Sequence, residues 1–207
     1  MSDIWNTVHQ ERASLIRDLN DLPELAWQTP SLCKGWTVHD VLAHLVDAAK
    51  NTKPAFIWQM VLAGFDFDKM NQKGVERERQ ASGKETLANF AKVQNRTTSA
   101  PAKLATRLVE AVVHGEDIRL PLGIKHEYPT WAVVEALQYQ VATSPSIGGS
   151  KETVAGLKLI TTDADFTHGE GDEVRGTALD LLLAVTGRPV KSGRLTGPGT
   201  PQLSKLT

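Results

Sequence analysis

Apolar residues recur at helical spacing over the first 143 positions, and Pro or Gly interrupts the recurrence at intervals. Ile4, Val8, Leu15, Ile16, Leu19 and Leu22 share one stripe with charges between them, which predicts a helix over 4–22. Pro23 and Pro30 bracket a connector carrying Trp27. Val38, Val41, Leu42, Leu45 and Val46 predict a second helix that fades near Lys50. Thr37 is a good N-cap for it, and Asp40, three residues on, stands where a capping box places an acid. The apolar run 54–62 predicts a third helix, and the polar stretch 66–80 a solvated helix or irregular segment. Further helices are predicted over 84–99, 102–120 and 130–143.

The texture changes after that. Ser144-Pro-Ser-Ile-Gly-Gly-Ser150 reads as a flexible connector, 157–161 as a short strand and 162–172 as an acidic, turn-rich loop. Residues 176–187 predict an apolar helix and 194–196 a closing strand. The pattern is mainly α: a helical bundle over 1–145 and a small α/β region over 146–207.

Composition narrows the function classes. Lys and Arg total 23 against 24 Asp and Glu, a net charge of -1, so a broad basic face for nucleic acid or an anionic membrane is not expected. No basic start followed by an apolar stretch marks a signal peptide, and no run of about 18 apolar residues predicts a span. The expectation is a cytoplasmic protein. With a single cysteine, Cys33, there is no internal disulfide and no cysteine-rich zinc site, so a metal would rest on His and carboxylates. Cys33 itself lacks an activating signature and reads as a structural thiol.

The helix over 102–120 carries the main chemical signal. Leu104, Leu108, Ala111, Val112, Gly115 and Ile118 form one apolar stripe, with Val109 and Val113 largely opposite, so most of its faces are apolar. Glu110 and His114, four apart, point the same way at the border of that stripe. A carboxylate there needs a strong partner, and a divalent metal is one. For the isolated pattern, an ordinary Glu–His pair inside a bundle is the better account. His44, at the edge of the second helix beside Val41 and Ala48, is a third candidate ligand, and two imidazoles with one carboxylate suit zinc. His39 reads as solvated, and His9 and His126 have no companions at ligand spacing. The segment 163–173 opens like an EF-hand loop, but His168 replaces its turn glycine and Val174 stands where the twelfth-position Glu belongs, so it reads as a polar turn.

Three ordered segments carry a family resemblance. Leu32-Cys-Lys-Gly-Trp-Thr-Val-His-Asp-Val-Leu-Ala-His-Leu-Val46 resembles the second-helix signature of the mycothiol-dependent maleylpyruvate isomerase family, within the DinB-like superfamily. Glu110-Ala-Val-Val-His-Gly-Glu-Asp-Ile-Arg119 and the stretch 162–176, leading into Leu181-Leu-Leu-Ala-Val-Thr-Gly-Arg188, are similar to that family in the same order. The resemblance implies a DinB-like four-helix bundle with a small C-terminal α/β region, and a metal, typically zinc, held by His44, Glu110 and His114. It also implies a low-molecular-weight thiol cofactor, mycothiol, whose thiolate attacks a small electrophilic substrate. The outcome is then a cis–trans isomerisation or an S-transfer. Arg119, Arg175 and Arg188 lie in the matched segments and are the candidate catalytic cations for an anionic substrate. The family's isomerases are expected to carry a larger C-terminal domain than this tail. A non-catalytic metal-binding DinB-like stress-response protein is the alternative, and an apolar bundle face suits a homodimer.

Overall fold

The first helix ends where the prolines begin. α1 runs Ser2–Leu19, and the short 3-10 turn Glu24–Gln28 that follows buries Trp27 completely. Next, α2 (Val38–Lys50) starts on a complete capping box, Thr37 N–H donating to the Asp40 carboxylate at 2.8 Å and Asp40 N–H to the Thr37 hydroxyl at 3.3 Å. Asp thus fills the place usually held by Glu. Four more helices follow: α3 (Lys53–Leu62), α4 (Phe67–Glu78), α5 (Gly83–Val93) and α6 (Thr106–Arg119). Asp66 caps α4, so the polar stretch is a helix, and Ser82 with Glu85 forms a second capping box on α5. The structure is a computed structural model that describes residues 2–203.

Residues up to His126 form one compact unit. In it α1, α2, α5 and α6 pack as a four-helix bundle, with α4 laid against α2. The core interleaves Leu15 and Leu19 of α1, Val41, Leu42, Leu45 and Val46 of α2, Leu87, Phe90 and Val93 of α5, and Ile118 of α6. Burying side chains of this size contributes about 1.5–3 kcal/mol each. Helix α3 differs: none of its residues is fully buried, and Ile57, Trp58, Val61 and Leu62 are exposed. Among the described residues, no helix is long and apolar enough to cross a membrane.

Gly83, the first residue of α5, lies flat against the Trp27 indole. A Cβ there would stand 2.1 Å from Trp27 Cδ2. Trp27 has no room to withdraw, so Gly83→Ala is expected to cost about 1–3 kcal/mol by overpacking. A lower urea midpoint at unchanged slope checks this, and an unchanged midpoint contradicts it.

The second unit starts at Glu127 and includes α7 (Thr130–Ala142). The helical spacing of 130–143 is as expected, but α7 packs against α8 (Ala178–Val185) and so groups with the C-terminal residues. Between them lies a three-stranded sheet in the order β2–β1–β3, formed by β1 (Leu157–Thr161), β2 (Thr167–His168) and β3 (Asp172–Gly176). β1 pairs antiparallel with β2, Leu159 opposite His168, and parallel with β3, Leu159 opposite Val174. The acidic loop therefore contains a strand, and His168 is a sheet residue. Asp163 accepts the Ala178 N–H at 2.8 Å, which gives the EF-hand-like acid a structural duty at the start of α8. The connector 144–150 is tied down: Gln140 donates to the Gly148 carbonyl at 2.8 Å and Ser150 to the Val185 carbonyl at 2.6 Å. The expected closing strand is a single bridge between Arg175 and Thr196. A short helix, α9 (Thr200–Leu203), ends the described chain.

Candidate metal centre

His44 sits two turns into α2, and the Thr37 capping box sets its height along the bundle. Its ring lies beside two aromatic neighbours, Trp36 at 5.3 Å between centroids and His114 of α6 at 4.9 Å, the latter edge-on at 78°. His44 Nδ1 is buried and has no hydrogen-bond partner. Burial pushes the His44 pKa well below its ordinary value of 6.5, and the charges of His114 and Arg107 push it the same way. His44 is therefore a neutral imidazole near pH 7, the protonation state a metal ligand needs.

His114 has the opposite electrostatics. Its Nδ1 lies 2.8 Å from Oδ2 of Asp117, which is fully buried one turn further along α6. Cys33 Sγ donates to the same oxygen at 3.0 Å and lies 3.8 Å from His114 Nδ1. Burial opposes a charge on His114. The hydrogen bonds to Asp117 and Cys33 outweigh it, and the pKa rises to about 9. Cys33 is carried by a turn across Ser31–Trp36, where Ser31 Oγ donates to the Trp36 carbonyl at 2.8 Å and Trp36 N–H to the Cys33 carbonyl at 3.0 Å. Gly35, at φ 82°, lets the turn close. Leu32 N–H reaches the Asp117 carbonyl at 3.3 Å and fastens this turn to α6.

The pH consequence has a definite sign. The folded pKa of His114 lies above the ordinary 6.5, so its contribution to stability is fully present below about pH 6.5 and is lost as pH rises through about 9. At roughly 1.4 kcal/mol per pKa unit the loss is on the order of 3 kcal/mol. Urea titrations of chelator-treated protein at pH 6 and pH 9.5 check it; equal stabilities at the two values would contradict the network.

The expected ligands are only partly assembled. His44 and His114 come together, whereas Glu110 has cationic partners. Arg107 Nη1 lies 2.8 Å from one Glu110 oxygen and Arg12 Nη2 3.8 Å from the other, and all three residues are buried. Among the described residues, the group of three possible ligands whose donor atoms lie within 4.8 Å of one another is Cys33, His114 and Asp117. Two donor sets therefore share His114: His44 beside its ring, and Cys33 with Asp117 at Nδ1. The unpartnered His44 nitrogen beside a second imidazole fits a divalent cation. The spacing of Asp117, three after His114 on one helix face, was a usable signal. The approach of Cys33, more than 80 residues away, was not visible locally.

The remaining residues are placed as follows. Arg119 is fully buried and donates to Asp18 at 2.8 Å. Arg175 is exposed and donates twice to Glu173, at 2.7 and 3.1 Å. Arg188 donates to the Thr186 carbonyl at 2.6 Å and lines a cavity of about 430 Å³ within the C-terminal unit, with Lys191, Leu195 and Leu203. His39, expected to be solvated, is buried against Thr86, with 2.7 Å between His39 Nε2 and Thr86 Oγ1. His126 pairs with Glu11 at 2.7 Å.

Comparison with known proteins adds the family. Residues 8–105 match the mycothiol maleylpyruvate isomerase N-terminal domain; this includes Cys33 and His44 and stops short of Glu110 and His114. No curated protein sequence matches. A crystal structure of the mycothiol-dependent maleylpyruvate isomerase aligns at TM-score 0.65 and 16% identity, over 95% of this chain and 92% of that one. A histidine-to-alanine mutant of the same isomerase aligns at TM-score 0.66 and 14% identity, with the same coverage. The C-terminal region is therefore not short relative to that isomerase, contrary to the expectation from length. Residues 8–105 thus resemble that N-terminal domain, and the chain, mainly helical with a small three-stranded sheet, shares the fold of that isomerase.

Proposed function

We propose that this protein is a metal-dependent enzyme that uses a low-molecular-weight thiol, mycothiol, on a small electrophilic substrate, by cis–trans isomerisation or S-transfer. The observation that carries this reading is the buried, unpartnered Nδ1 of neutral His44 beside the His114 ring. The family match and the fold support the thiol. His44 and His114 would hold the cation, with Glu110 as third ligand once Arg107 and Arg12 yield it. Zinc suits two imidazoles and a carboxylate, and when bound it supplies a Lewis acid that keeps a thiol ionised at neutral pH.

The chain's own residues do the rest. Trp36, its ring tilted 47° to that of His44 and donating to Gln72 at 3.1 Å, gives the site an apolar wall. Arg119, Arg175 and Arg188 are the proposed cations for an anionic substrate or cofactor. Arg119 is the weakest of them, because it is fully buried as well as paired with Asp18.

Metal analysis and thiol consumption test the reading together. Purified protein is expected to hold about one zinc per chain and to consume or turn over mycothiol with maleylpyruvate or another activated double bond. Zinc without any mycothiol-dependent reaction across a panel of electrophiles would make the protein a metal-binding module. Absence of zinc would remove the metal reading itself.

A further inference from the structure

Asp117 receives two donors on one oxygen, His114 Nδ1–H and the Cys33 thiol. A carboxylate so placed can share a cation with Cys33 and His114, or it can hold the imidazole for a cation bound elsewhere on the ring. The metal-free geometry is that of the second case. Ligands of one tetrahedral zinc stand about 3.3 Å apart for a nitrogen–oxygen pair and about 3.6 Å for a sulfur–oxygen pair, given bond lengths of roughly 2.0–2.1 Å and 2.3 Å. The observed 2.8 Å and 3.0 Å are shorter than both and are hydrogen-bond lengths, the first typical of a charge-assisted bond.

The ring chemistry agrees. With its Nδ1 proton committed to a carboxylate, an imidazole that gives up its second proton to an arriving cation offers that cation the Nε2 lone pair. The nearby nitrogen without a partner belongs to His44, on a different helix from Asp117. In this arrangement the Cys33 thiol spends its hydrogen bond on Asp117 and supports that carboxylate.

We infer that Asp117 is the positioning residue of the site, fixing His114 with Nδ1 as donor, and that Cys33 is the second donor that holds the Asp117 carboxylate in place. This rests on the reading of His114 as a metal ligand, and it assigns the Cys33–Asp117 side of the ring to support. Full-length protein, labelled with nitrogen-15 at histidine, tests it in wild type, Asp117→Asn and Cys33→Ser, each metal-free and titrated with cobalt(II) against a competing chelator. The wild type is expected to show a slowly exchanging, hydrogen-bonded Nδ1–H resonance from His114 and no thiolate-to-cobalt charge-transfer band. Asp117→Asn is expected to move that resonance upfield and weaken cobalt binding roughly 10–100-fold, while Cys33→Ser, whose hydroxyl keeps a donor, stays within about threefold of wild type.

A charge-transfer band in the wild type that Cys33→Ser abolishes would overturn the inference, because Cys33 would then be a ligand. So would an Asp117→Asn protein with wild-type affinity and an unmoved resonance. If the wild type binds no cobalt, the metal reading fails separately, and the resonance alone decides: present in wild type and Cys33→Ser but displaced in Asp117→Asn supports the positioning role, and its absence from wild type ends it.

Discussion

His44→Ala and His114→Ala are each expected to lower zinc affinity by more than about a hundredfold. Loss of an outer partner that merely orients a ligand costs roughly 10–100-fold, and loss of the ligand itself removes a coordinate bond as well. The two substitutions should differ in stability. His44 Nδ1 makes no hydrogen bond and its ring is held neutral by burial, so alanine there removes packing but no polar partner. His114 donates to Asp117 and lies against Cys33, so alanine there removes one donor from a fully buried carboxylate and also destabilises the metal-free protein. His39→Ala is the control, since His39 is equally a histidine of α2 but is spent on Thr86. Equilibrium dialysis against zinc, with far-UV circular dichroism to show that each variant folds, gives the measurement. Wild-type zinc retention by His44→Ala would dismiss the two-imidazole site, however well the fold matches.

Much of the bundle was legible because its signals are local. Thr37 and Asp40 are three residues apart, and their capping box appears as the spacing predicts. The stripe of α2 and the apolar run of β1 likewise state which face is buried. They do not state against what, and that is where expectation and structure part. The periodicity of α7 says that Ala132, Val133, Ala136, Leu137 and Val141 are inside, but nothing in it names α8 as the partner. The apolar residues of α3 predicted a helix correctly, yet their exposure is a fact of how the other helices pack. His39 was misread because its ligand-free edge of the helix faces Thr86 of α5. At the site, His44 and His114 could be paired from two amphipathic patterns. Arg12, which meets Glu110 from α1, could not, because ion pairs between distant helices leave no periodic trace.

Glu110→Gln is expected to destabilise the metal-free protein by about 3–5 kcal/mol, the usual cost of breaking a buried ion pair from one side. The substitution keeps the volume and removes only the charge, which leaves Arg107 and Arg12 buried without their carboxylate. Arg12 is the more exposed to the loss in energetic terms. It is only 4% accessible to solvent, its Nη2 has no hydrogen bond, and its pKa is already lowered by burial, with Glu110 as the opposing influence that keeps it charged. Its Nη1 is satisfied by the Gln94 and Arg96 carbonyls, so the side chain cannot simply swing out to water without breaking those bonds too. The same substitution probes the metal. A carboxylate held by two guanidiniums must be released, in part, before it can serve a cation, and that competition weakens the site relative to one with an unpaired Glu. Urea unfolding of chelator-treated Glu110→Gln measures the first duty, and zinc dialysis of the same variant measures the second. A melt that coincides with wild type together with lost zinc would make Glu110 a ligand that the arginines merely shelter. A lowered urea midpoint with zinc retained would make Glu110 a structural counter-ion, and the cation would then rest on the two imidazoles.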